Sequence, residues 1–254
     1  MMWDPDVYMK FGGLRTRPAL ELATRAGRTD GLIYDLGCGP GNSASILRSL
    51  NPAAEIVGVD SSAEMLERAA KEGPGDATWI NADLSTWRAE APADLIFSNA
   101  TYQWLDGHEA LFSGLLDGLA EGGTLALQMP QNFAAPSHVL MRKVASQGPW
   151  SQKLDSILRH DPVGAPQDYY EIFHERASEV DIWETEYAQI LEGDDPVFSW
   201  VSGTALRPLL GALDAGEQQA FTELYKSALQ KAYPRQSDGK TLFAFKRIFI
   251  VIRT

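Results

Sequence analysis

The sequence predicts an α/β protein with a doubly wound, mostly parallel sheet and an antiparallel last strand. Three observations lead there. Short apolar runs alternate with helical patterns over the first two-thirds of the chain, the links between them are short, and the C-terminal end is one long apolar strand. Strands connected through helices pair in parallel and need cover on both faces. Right-handed crossovers then leave doubly wound orders as the commonest outcome.

The elements follow in order. Residues 31–36 form a short apolar strand ending at glycines, and 42–50 read as a helix with Ile46, Leu47 and Leu50 on one side. Residues 55–60 are a second strand, and 62–71 a helix with Ser62 as N-cap. Residues 78–81 and 93–98 are the third and fourth strands, 110–119 a helix stopped by Glu121-Gly-Gly123, and 124–129 the fifth strand. After Pro130 the rhythm breaks: 136–160 is mostly helical with an interruption at Gly148-Pro149, 167–177 is helical, 181–191 a strand, and 197–213 and 215–233 helical. Residues 241–252 alternate and then run continuously apolar from Ile248 to Ile252, which predicts a strand buried on both faces. No simple crossover helix precedes it, so it should run antiparallel. The chain is expected to be one domain (1–254), with a cofactor-binding half at 30–130, helical insertions at 131–240 and a returning strand at 241–253.

Composition excludes several classes. Of 254 residues, 44% are hydrophobic and 22% charged, as in ordinary globular proteins and unlike disordered or fibrous ones. No apolar run approaches the roughly 20 residues of a bilayer span, no basic-then-apolar leader is visible, and the single Cys38 suits a reducing compartment. A cytoplasmic monomer with no membrane contact is expected. The net charge of −12 argues against nucleic acid as a partner. Charge is uneven: residues 1–130 carry 9 Lys/Arg against 18 Asp/Glu, while 226–254 carry 7 against 1. That basic stretch is either a solvated face or a source of positive potential beside an anionic ligand. No His, Cys and Asp/Glu cluster has metal-ligand spacing, so no metal is expected.

The segment richest in chemistry is Asp35-Leu-Gly-Cys-Gly-Pro-Gly-Asn42. A strand that stops in glycines and restarts as a helix lets backbone N–H groups approach a ligand. The spacing is Gly37-x-Gly39-x-Gly41, not the G-x-G-x-x-G of a dinucleotide site. Asp35 would repel a diphosphate by roughly a few kcal/mol and attract a cation. Asp60, 19 residues beyond Gly41, can accept hydrogen bonds from both hydroxyls of a ribose. A ligand with a ribose, an ammonium and a sulfonium but no phosphate satisfies all three features: S-adenosylmethionine.

Asp35-Leu-Gly-Cys-Gly-Pro-Gly41, Val59-Asp60, Asn81-Ala-Asp83-Leu84, Ile96-Phe-Ser-Asn-Ala100 and Glu121-Gly-Gly-Thr-Leu125, in that order, resemble the motifs of class I S-adenosylmethionine-dependent methyltransferases. The resemblance implies a seven-stranded, Rossmann-like sheet with helical insertions forming a substrate cap. It implies that Gly37 and Gly39 contact the methionyl part and Asp35 orients its ammonium. Asp60 and Ser61 would meet the ribose, Met65 and Leu84 would flank the adenine, and Asp83 would accept from the exocyclic amine. Asn99 and Ala100 would line the path beside the sulfonium.

Stretches outside the cofactor half, among them Trp3-Asp-Pro-Asp-Val-Tyr8, Asn99-Ala-Thr-Tyr-Gln-Trp104, Gln128-Met-Pro-Gln-Asn132 and Gly203-Thr-Ala-Leu-Arg-Pro208, resemble the trans-aconitate-methylating branch of that family over the whole chain. They imply methyl transfer to a carboxylate of a small polycarboxylate, giving a monomethyl ester and S-adenosylhomocysteine. Such an acceptor is already ionised near neutrality, so no catalytic base is required. Arg207 and Arg247 are the candidate grips for non-reacting carboxylates, with Tyr8, Trp104, Gln131 and His138 shaping the wall. Alternatives stay open: an O, N or C acceptor on another metabolite, a nicotinamide dehydrogenase (disfavoured by Asp35 and the glycine spacing), and a non-catalytic binder of the methyl donor.

Overall fold

The structure, a computed structural model, describes residues 13–14 and 16–254. Seven strands form one sheet in the order β3-β2-β1-β4-β5-β7-β6. Their ranges are β1 Leu32–Leu36, β2 Glu55–Asp60, β3 Thr78–Asn81, β4 Ala93–Asn99, β5 Leu119–Pro130, β6 Glu179–Leu191 and β7 Thr241–Arg253. β1 pairs in parallel with β2 and β4, β2 with β3, and β4 with β5. β7 lies antiparallel to β5, from Thr124↔Arg253 to Pro130↔Arg247. Ile248 to Ile252 are fully buried, as their unbroken apolar run requires of a strand flanked on both sides.

The helices are α1 Arg17–Ala26, α2 Asn42–Leu50, α3 Ala63–Glu72, α4 Glu109–Leu116, α5 Pro136–Gln147, α6 Ser151–Leu154, α7 Pro166–Phe173, α8 Pro196–Ser202, α9 Arg207–Gly211 and α10 Ala215–Ala232. α1 was not among the expected elements. Pro18 sits in its first turn, and Leu22, Ala23 and Ala26 make its buried stripe, a start and a face that helix propensity favours. Among the described residues, no helix is long and apolar enough to cross a membrane.

Three expected boundaries shift. Helix α4 ends at Leu116, where Gly118 N–H donates to the Leu115 carbonyl, so Glu121-Gly-Gly123 is not its stop. Those glycines lie inside β5, in an excursion that breaks register between Ala93 and Leu95 and uses Gly122 at φ +74°. The interruption at Gly148-Pro149 falls where expected, between α5 and α6, but α6 ends at Leu154 rather than at 160, and 197–213 is split into α8 and α9 around Gly203.

Two compact units emerge. The first comprises 1–130, 163–185 and 247–254, and the second 131–162 and 186–246. The first contains the parallel strands. The second has its own core, in which Trp150, Phe221, Tyr225 and Phe243 are fully buried with Leu154, Val201 and Leu206. Burial of such rings dominates the stability of a unit this size.

Candidate active site

The site grows from the turn between β1 and α2. Gly37, Gly39 and Gly41 all adopt positive φ, at +72°, +54° and +87°. A Cβ on Gly37 would lie 2.1 Å from Thr101 Oγ1, whereas one on Gly39 would meet nothing within 4 Å. The first glycine is required by close packing. The second leaves open space.

The expectation that this turn presents its amides to a ligand is corrected. Gly37 and Cys38 N–H donate to the Val59 carbonyl, Gly41 N–H to the Cys38 carbonyl, and Gly39 N–H to Asp60 Oδ2 at 2.9 Å. These donors close the turn onto β2 and are not an anion cradle, which removes the physical basis for a diphosphate here.

Asp35 is 1% exposed. Its Oδ2 accepts from Ser43 Oγ at 2.7 Å, while Oδ1 is buried with no hydrogen-bond partner. Burial, reinforced by the nearby Asp60 charge, pushes its pKa up to about 7 despite hydrogen bonds from Ser43 and the Ala44 amide. A buried carboxylate with an unmet oxygen calls for a cationic partner. Cys38 is 3% exposed, and burial with the Asp35 and Asp60 charges drives its thiol pKa upward. It stays a protonated, inert packing residue.

Asp60 bridges two backbone donors, Gly39 N–H and, through Oδ1, Ser62 N–H at 2.8 Å. Ser61 is exposed beside it. Ser62 caps α3 by accepting from Met65 N–H, which leaves Met65 half-buried on the first turn. Asp83 is exposed, and its Oδ1 accepts from Ser85 N–H, which holds its carboxyl below the usual carboxylate range. Leu84 beside it is buried. Ala100, just after β4, has φ +58°, the only non-glycine with positive φ among the described residues. Such a conformation costs about 1–2 kcal/mol and ends the strand abruptly, bringing Asn99 to the rim with a buried, unpartnered Oδ1.

Register aligns these side chains. Asp35 is level with Gly58 of β2 and Phe97 of β4, and Phe97 with Ala126 of β5. Two residues further on lie Asp60, Asn99 and Gln128, with Asn99 and Gln128 paired. Gln128 faces Phe249, and Pro130 faces Arg247. Because side chains alternate with period 2, Asp35, Asp60, Asn99, Gln128 and Arg247 share one face at the carboxyl edge of the sheet. The order reverses between β1 and β4, which is where doubly wound sheets bind ligands. The row is polarised, with carboxylates on β1 and β2 and a guanidinium on β7.

Arg247 is 6% exposed and donates from Nη1 to Gln128 Oε1 at 3.2 Å. Gln128, itself buried, was missed from the sequence; an amide inside the apolar run 124–129 was the available signal. Trp104, in a 3-10 turn after β4, is 43% exposed. Arg247 and Trp104 belong to the first unit; Gln131, His138 and Arg207 belong to the second. Gln131 is half-buried, its N–H bonded to the Lys246 carbonyl. His138 is buried against Phe133, and desolvation with the Arg142 charge lowers its pKa to about 4, so it is neutral at pH 7. Arg207 is exposed at the start of α9. Tyr8, and with it Trp3, lies outside the described residues. The basic C-terminal stretch is mostly a surface feature: Lys226, Arg235, Lys240 and Arg253 pair with Asp195, Asp194, Glu192 and Glu179.

Residues 33–123 match a family model described as a methyltransferase domain. The chain is 44% identical to trans-aconitate 2-methyltransferase of Azoarcus sp. (strain BH72) over 98% of each chain. It is 45% identical to trans-aconitate 2-methyltransferase of Streptomyces coelicolor, covering 99% of this chain and 86% of that one. Its fold resembles Haemonchus contortus phosphoethanolamine N-methyltransferase 2, solved with phosphomonomethylethanolamine and S-adenosylhomocysteine. That match has a TM-score of 0.57 at 18% identity, over 97% of this chain and 56% of that one. By full-length similarity, the chain belongs to the trans-aconitate 2-methyltransferase family.

Proposed function

We propose that the protein transfers the methyl group of S-adenosylmethionine to a carboxylate of trans-aconitate, giving a monomethyl ester and S-adenosylhomocysteine, as a monomer in the cytoplasm. The observation that carries this reading is the polarised row at the sheet's carboxyl edge, with the orphaned Asp35 Oδ1 at one end and buried Arg247 at the other. One end suits a cationic donor, the other a polyanionic acceptor.

The unmet oxygen of Asp35 fits the donor's ammonium. Asp60 retains lone pairs for ribose hydroxyls beyond those given to Gly39 and Ser62. Met65 and Leu84 supply the apolar walls of an adenine slot, with Ser61 beside the ribose and Asp83 as acceptor for the base's amine. Gly39 leaves room for the methionyl chain, Gly37 lets the turn close against Thr101 beside it, and Asn99 and Ala100 line the approach to the sulfur. When bound, the sulfonium supplies an already activated methyl group: the new C–O bond forms as the C–S bond breaks, and its electron pair goes to sulfur.

The chain's own residues align and desolvate. Arg247, with Arg207 as a second candidate, holds carboxylates that do not react, because a tight cation on the attacking oxygen would stabilise the charge that transfer removes. Trp104, half-exposed just beyond β4, forms a wall on the acceptor's side. Neutral His138 adds no charge and is not needed as a base.

Labelled methyl transfer to a panel of small polycarboxylates tests this. Base-labile ester should form on trans-aconitate, with a rate at saturating S-adenosylmethionine that is flat above about pH 6, since the acceptor is already ionised there. A base-stable product, or a rate climbing steeply with pH, would instead indicate an O, N or C acceptor on another metabolite.

A further inference from the structure

We propose that Gln128 sets acceptor specificity: its side-chain carbonyl holds Arg247, and its side-chain amide donates to the same non-reacting carboxylate that Arg247 grips. The inference rests on the carboxyl-transfer reading above and deepens it.

β5 is apolar and buried from Leu125 to Met129 except for Gln128, itself 1% exposed. An amide in that run is unfavourable unless both its ends are used. One end is used: Oε1 accepts from Arg247 Nη1. A guanidinium has no acceptor, so this bond fixes Oε1 as the end of the amide that meets Arg247 and leaves Nε2, on the same amide group, to a different acceptor. Nε2 is buried and has no partner. It belongs to the face that carries Asp35, and its strand neighbour Asn99 also keeps a buried, unpartnered oxygen. An amide donor beside a guanidinium matches the planar, two-oxygen geometry of a carboxylate. A carboxamide at that position would turn its own N–H toward the Gln128 donor, and the site would reject it.

The test uses the full-length protein, trans-aconitate, and its three monocarboxamides. Wild type should prefer the acid over one carboxamide by about 100-fold in kcat/KM. Gln128→Glu converts the donor into an acceptor. It should raise KM for trans-aconitate by about 100-fold, leave the S-adenosylmethionine Kd within about twofold, and cut the acid-to-amide ratio for that carboxamide by about 100-fold. A purely structural role would weaken acid and amide alike. An unchanged ratio in a variant that still binds the methyl donor overturns the proposal. If Gln128→Glu loses methyl-donor binding altogether, Gln128→Met decides: the ratio should fall about tenfold, and a ratio equal to wild type overturns it. Should wild type esterify no polycarboxylate, the reaction itself is misassigned and this inference goes with it. Wild-type esterification with an unmoved ratio removes only the role of Gln128.

Discussion

Asp60→Ala is expected to weaken S-adenosylmethionine binding by at least about 100-fold while the protein remains folded. Two charge-assisted bonds to ribose hydroxyls would be lost, each worth about 1.5–3 kcal/mol in such settings, and 1.4 kcal/mol is tenfold in affinity. The carboxylate also holds Gly39 and Ser62 N–H groups, so the glycine turn loosens as the acceptor disappears. Asp60 is half-buried at the strand end, and water can reach the released amides, which keeps the stability cost near about 1–2 kcal/mol. Calorimetric titration beside a thermal melt separates the two effects. Unchanged affinity would remove the ribose assignment. A collapsed melt would assign Asp60 to the fold instead.

Arg247→Ala is expected to raise KM for trans-aconitate by about 100-fold, with the methyl-donor Kd little changed. The side chain is buried, held by Gln128 Oε1, and carries a charge that cannot titrate away. Truncation removes a charged grip, worth about 1.5–3 kcal/mol. Arg207→Ala should do much less, because Arg207 stands exposed at the start of a five-residue helix. Steady-state kinetics on both variants decides between them. A large KM effect at Arg207 with none at Arg247 would reverse the assignment of the anchor.

What the sequence made legible was short-range. Asp35, the glycine turn and Asp60 lie within 26 residues of one strand–helix–strand unit, where residue type and spacing carry the geometry directly. The antiparallel β7 was legible because the unbroken apolar run from Ile248 to Ile252 suits a strand buried on both faces and no simple crossover helix precedes it. What failed depended on partners elsewhere in the chain. The amides of the turn close onto Val59 and Asp60, which no local pattern announces. Glu121-Gly-Gly123 looks like a helix stop because glycine favours such ends, yet strand pairing with β4 draws it into β5. Gln128 became a candidate only once β7 brought Arg247 beside it. In the stretch 226–254, charge count alone could not separate buried Arg247 from basic residues engaged in surface ion pairs.

The central claim is that a buried carboxylate on β1 selects a cationic methyl donor. In the ligand-free protein Asp35 titrates near 7, raised by burial from an ordinary 3.8. Only its ionised form attracts an ammonium, so affinity should be full above pH 7 and fall toward tenfold per unit below it. The donor's own amine, with an ordinary pKa of about 7.7–8.0, ends the plateau on the alkaline side. In the empty protein the sign is opposite: stability from this group is full below pH 3.8 and is lost as pH rises through 7. Asp35→Asn should therefore stabilise the ligand-free fold above pH 7 while weakening the methyl donor. The decisive measurement is the S-adenosylmethionine Kd from pH 5.5 to 8.5 in wild type and Asp35→Asn. A wild-type affinity that tightens through pH 7 and a weak, flat one in the variant are the predicted result. Equal affinities in the two proteins, with the same dependence on pH, would contradict it.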